Sequence, residues 1–132
     1  MINPAITDPI ATLLGEWSTG LGTASVIFRI VVSVVLSAII GCERSSKRHS
    51  AGFRTFILVS LASTTAMLID IYLAESFGFK LPMLSVASVI AVAITSGNSV
   101  LFSSRNQIKG LTTSVGLWAC GFIGLAIGAG LY

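Results

Sequence analysis

Acidic side chains are scarce: the 132 residues contain five Asp and Glu, and all charged residues together make up 10% of the chain, against about 25% in an ordinary soluble domain. A water-soluble globular fold is thereby excluded. One histidine and two cysteines, with no clustered carboxylates, give no support to a transition-metal site, which gathers three or four such ligands. The cysteines do not pair either. Cys42 stands at the end of one apolar stretch, whereas Cys120 lies nine residues inside another, roughly 13 Å deeper at 1.5 Å per helical residue, beyond the Cα separation a disulfide permits. The chain also lacks a phosphate-binding Walker loop, a GxSxG elbow, an HExxH motif and a recognisable catalytic triad. No enzyme activity and no cofactor are therefore expected. The net charge of +3 does not point to nucleic acid, because the placement of the charges matters more than their sum.

What is present is hydrophobic: 54% of residues are apolar and the mean hydropathy is +0.93. Four stretches dominate, Ser25 to Cys42, Thr55 to Tyr72, Leu84 to Phe102 and Leu111 to Tyr132, with lengths of 18, 18, 19 and 22 residues. Each is about long enough to cross a hydrocarbon core of roughly 30 Å as a helix. The expected fold is an all-α integral membrane protein with four transmembrane helices over residues 25–132. Arg44, Lys47, Arg48 and Arg54 lie between the first two stretches, and Arg105 and Lys109 between the last two. The positive-inside bias assigns both loops to the cytoplasm and both termini to the outside.

Residues 1–24 carry no Lys or Arg and no long apolar core, so a secretory signal is not expected. Asp8-Pro9 reads as a helix start, and Ile10, Leu13, Leu14, Trp17 and Leu21 follow at helical spacing. The segment is read as a short amphipathic interfacial helix with Trp17 at headgroup depth; the alternative is an unstructured leader.

Polar groups within the stretches need a partner, a cavity or an interface. Arg29 lies 13 residues before Cys42, and Asp70 lies 15 residues after Thr55. In an antiparallel pair the two charges share a depth to within roughly 3 Å, which predicts an Arg29–Asp70 ion pair; the alternative is that each snorkels separately. Arg29, Ser33, Ser37 and Gly41 recur every fourth residue, as do Thr112, Gly116, Cys120, Gly124 and Gly128. Such small-residue stripes let helices approach closely, within one chain or between chains. The third stretch carries Ser85, Ser88, Thr95, Ser99 and Ser103, with Ser96 and Asn98 nearby. These hydroxyls either bond their own helix or line a polar path. A buried Asn98 would need interhelical partners for its amide.

In the first loop, Glu43 and Arg54 are placed for a salt bridge closing the hairpin, and Thr55 or Ser50 for capping the second helix. Thr112 and Thr113 are placed for similar work after Gly110.

Gly41-Cys42-Glu43-Arg44, then Ala51-Gly52-Phe53-Arg54-Thr55, then Gly110-Leu111-Thr112-Thr113 with Trp118 five residues on, resemble in kind and order the motifs of the MgtC/SapB family of bacterial membrane proteins. Arg29 stands at the spacing before Glu43 at which the family usually has an arginine. Ser96-Gly97-Asn98-Ser99 and the residues after it replace the family's glycine-rich third span, as in a short, divergent member. The resemblance implies a multi-pass protein of the bacterial inner membrane, linked to magnesium limitation, virulence and modulation of the membrane ATP synthase. A membrane-protein partner is expected on this reading, the small-residue stripe leaves a homo-oligomer open, and no nucleic-acid partner is expected. A transporter or channel for an ion or small solute is the alternative.

Overall fold

Lipid offers the backbone no hydrogen bonds, so an apolar chain that enters it must satisfy its own N–H and C=O groups, and helix does so locally. The computed structural model describes residues 9–18, 20–46, 52–101 and 107–131. It shows helices α1 (Pro9–Leu14), α2 (Thr23–Ser46), α3 (Phe53–Phe77), α4 (Met83–Leu101) and α5 (Gln107–Gly128), with a 3-10 turn at Glu16–Ser18. No strand occurs among the described residues. Helices α2, α3 and α5 are long and apolar enough to cross a membrane, and α4 has a shorter apolar stretch, Met83–Asn98.

The bundle is organised about α3 and α5, whose mutual interface is the most extensive. Helix α2 packs on one side of this pair and α4 on the other, and no α2–α4 contact occurs among the described residues. The face of α2 turned inward is Ser25, Arg29, Ser33, Ser37 and Gly41. Two residues away along the helix, or ~200° around it, Ile27, Val31, Val35 and Ile39 are exposed. The same inversion holds throughout: buried positions are mostly small or polar, while large aliphatic side chains such as Ile90, Ile94 and Val115 point outward. In water this would be an aggregation surface; in a bilayer it is the lipid-facing coat. A small apolar cluster of Phe56, Leu117 and Cys120, flanked by Ile40 and Val59, fills one end of the interior.

The N-terminal segment differs from the expected continuous helix. After α1, Gly15 adopts φ +87, a left-handed conformation that ends the helix and that glycine adopts without a Cβ clash. The 3-10 turn then brings Trp17 edge-on to Phe28 of α2, with centroids 5.7 Å apart. Trp17 therefore stands, half exposed, on the 3-10 turn rather than on α1. The expected cap at Asp8 lies outside the described residues.

Candidate functional site

The two intramembrane charges are not paired with each other. Arg29, 4% exposed, donates through one terminal nitrogen to the Gly128 carbonyl at 2.9 Å and through the other to the Ser18 carbonyl at 3.0 Å. Both acceptors are at helix ends. Helix α5 closes with the Leu131 N–H on the Ala126 carbonyl and the Gly130 N–H on the Ile127 carbonyl, Gly130 having φ +85. This Schellman closure does not use the Gly128 carbonyl, which Arg29 takes. A cation at a helix C-terminus also meets the negative end of the macrodipole. Ser25 donates its hydroxyl to the same Ser18 carbonyl at 2.9 Å. Arg29 Nε is buried with no hydrogen-bond partner.

Asp70 does the converse. Its carboxylate accepts the Leu84 N–H at 3.1 Å, the Ser85 N–H at 2.7 Å and the Ser85 hydroxyl at 2.6 Å. Helix α4 follows Pro82, whose carbonyl accepts the first intrahelical bond from the Val86 N–H. Proline has no side-chain acceptor, so the cap comes from a neighbouring helix. Both charges lie at one end of the bundle, as their spacing predicts. They do not pair as expected, because helix ends of opposite polarity lie closer to hand than the opposite charge.

Between α2, α3 and α5 lies a hydroxyl network. Ser33 Oγ is 2.7 Å from Ser60 Oγ and 2.7 Å from Thr64 Oγ1, and Thr64 Oγ1 is 2.9 Å from the Gly124 carbonyl. Each hydroxyl has one proton. Thr64 is the donor toward Ser33 and toward the Gly124 carbonyl and shares its single proton between them, while either of Ser33 and Ser60 donates to the other. Ser60 and Thr64 were missed in the sequence, although their small-xxx-small spacing was a usable signal. Ser18 was missed because its role is played by a backbone carbonyl, which leaves no mark on the choice of side chain.

The α5 stripe is intramolecular. A Cβ at Gly124 would collide with the Ser60 carbonyl oxygen, one at Gly128 would lie 2.7 Å from Met67 Cβ, and one at Gly116 would lie 2.9 Å from Phe56. Cys120 is fully buried between them. At the far end of the bundle Gly41 sits against Phe53, and Arg44 reaches toward Gly116. Glu43 and Arg54 are both exposed there.

Three further expectations are corrected. The N-cap of α3 is Gly52, with no side-chain cap, so Thr55 lies in the first turn and caps nothing; Ser50, Lys47, Arg48 and Arg105 lie outside the described residues. Helix α5 begins at Gln107, which puts Thr112 and Thr113 past its open N–H groups; Gly110 and Thr113 are buried in the bundle, while Trp118 stacks on Phe122 at 5.4 Å. Asn98 is exposed, because α4 buries Ser85, Val92 and Ser96 and Asn98 lies ~200° around the helix from Ser96. Among the described α4 hydroxyls, Ser88 donates to Ser85 O, Thr95 to Ala91 O and Ser96 to Ala93 O, each within its own helix. Ser103 is outside the described residues.

Membrane-length helices with an apolar exterior and a small, polar, hydrogen-bonded interior define a polytopic helical membrane protein. The model of the MgtC family matches residues 30–132, and the chain belongs to that family. It is 28% identical over 116 residues to "Putative magnesium transporter YhiD" of Escherichia coli (strain K12), covering 83% of this chain and 54% of the relative. It is 28% identical over 113 residues to SapB of Bacillus subtilis (strain 168), covering 81% and 49%. With MgtC of Brucella abortus (strain 2308) the identity is 28% over 97 residues, covering 74% and 40%. The chain thus spans about half the length of the curated relatives it matches. These relatives and the three membrane-length helices make it a bacterial membrane protein. No solved structure matches it significantly.

Proposed function

We propose that this chain is a non-catalytic regulatory or interaction protein of the bacterial inner membrane, acting in magnesium limitation and virulence through contact with another membrane complex such as the ATP synthase. The observation that carries this reading is the commitment of Asp70. Among the described residues it is the one buried carboxylate, and both its oxygens are taken by the start of α4. Magnesium is bound through carboxylate and water oxygens, and a carboxylate locked to a helix end is poorly placed to serve it. The hydroxyls of Ser88, Thr95 and Ser96 bond their own helix, that of Ser85 is taken by Asp70, and the α2–α3–α5 network is closed on itself, which also supports a packed interior over a conducting one. In this reading α4 is a fourth crossing, the end bearing Arg44 and Arg54 faces the cytoplasm, and both termini lie outside.

Affinity purification from native membranes tests the proposal. A membrane complex should be retained by the wild-type chain and lost with Arg54→Gln; recovery of no membrane protein above background overturns the reading. The alternative, transport, draws its support from the name of the Escherichia coli relative. Magnesium flux in vesicles reconstituted with the purified chain would favour it, above all if Asn98→Ala abolished that flux.

A further inference from the structure

A groove of about 270 Å³ opens on the lipid-facing side between α3 and α4, lined by Leu58, Val59 and Ala62 of α3 and Ala91, Val92 and Thr95 of α4, among others. We propose that it holds one acyl chain of an anionic phospholipid, whose phosphate sits beside Arg54. Three observations carry the assignment.

The lining is mostly apolar: of its four hydroxyls, those of Ser88 and Thr95 donate to Ser85 O and Ala91 O of their own helix, and those of Thr55 and Ser63 stand only at the two ends of the α3 wall. Its length also fits. From Thr55 to Ser63 along α3 is about 12 Å at 1.5 Å per residue, close to one leaflet's share of a hydrocarbon core of ~30 Å. The groove therefore starts at the helix end and stops near mid-membrane, as a lipid tail does.

The mouth carries the complementary charge. Arg54 lies four residues before Leu58 and eight before Ala62, so it continues the groove-lining stripe of α3 by one turn. It is exposed, and it stands in the first turn of a helix that no side chain caps. A guanidinium and open helix N–H groups together suit a phosphate oxygen. This inference is independent of which complex the protein contacts.

Native mass spectrometry of the full chain, released from vesicles of mixed phosphatidylglycerol and phosphatidylcholine, tests it. The wild type should retain phosphatidylglycerol over phosphatidylcholine by about fivefold, the fold-change expected of one arginine near an anionic surface. Arg54→Gln should retain both lipids equally. Ala91→Phe, which fills the groove from an exposed position, should lose bound lipid of either kind, while Ala119→Phe, an exposed site on α5, should retain it as the wild type does. Equal retention of the two lipids by the wild type overturns the proposal. So does undiminished lipid on Ala91→Phe, or a lipid-free wild type whose oligomeric mass changes with Ala91→Phe, which would give the groove to a second copy.

Discussion

Arg29 and Asp70 show how a membrane interior accommodates charge without an ion pair. Each is held by groups that a helix end leaves open, the cation by carbonyls at Gly128 and Ser18, the anion by N–H groups at Leu84 and Ser85. Because the two share no partner, their contributions should add. Arg29→Gln and Asp70→Asn should each lower stability by about 1–3 kcal/mol, the cost of leaving buried polar groups unsatisfied. The double variant should equal their sum within ~0.5 kcal/mol. Unfolding in detergent micelles measures this, and a coupling above ~1 kcal/mol would restore the ion pair that the sequence suggests. Arg29→Lys should fall between wild type and Arg29→Gln, since an ammonium keeps the charge but not the fork that spans two carbonyls. The depth of both charges was legible from spacing alone. Their partners were not, because backbone groups at helix ends are the same in every sequence.

At the scale of the helices, α3 and α5 meet through Gly124 and Gly128 on one side and Ser60, Thr64 and Met67 on the other. Packing and interhelical hydrogen bonds drive association where lipid is as apolar as the side chains. Gly124→Ala pushes a methyl group into the Ser60 carbonyl and should destabilise by about 1–3 kcal/mol. Gly121→Ala meets Val92 at 3.4 Å and Ser63 Oγ at 3.7 Å, ordinary contacts, and should stay within ~0.5 kcal/mol of wild type. Thermal melts of the two purified variants check the contrast. Thr64→Val keeps the shape but removes the hydroxyl that links Ser33 to the Gly124 carbonyl. Its expected cost is about 0.6 kcal/mol, the average for such bonds in membranes, and at most ~1.7 kcal/mol. The α5 stripe was plain in the sequence, whereas its receiving surface on α3 was overlooked among the surrounding Leu, Ala and Thr residues.

For the whole molecule, one end gathers Arg44, Arg54 and Glu43, while the other holds the Arg29 and Asp70 caps and Trp17. Cys42 is exposed near the first end and Cys120 is buried. With the proposed orientation, a membrane-impermeant maleimide should label Cys42 in inside-out vesicles and not in right-side-out ones, and should leave Cys120 unmodified in both; labelling of Cys42 from the outside would invert the topology. Composition and the spacing of apolar runs determined by themselves that the chain is a helical membrane protein, because hydropathy and helix length act locally and survive any arrangement of neighbours. The motifs around Glu43, Arg54 and Gly110 were enough to indicate the family. Only the tertiary structure decided what Arg29 and Asp70 bind, that the α5 glycines pack within the chain, and that Asn98 faces outward. Each of these depends on which helix lies alongside which, and on where each helix stops, and a hydrophobic pattern constrains those only loosely.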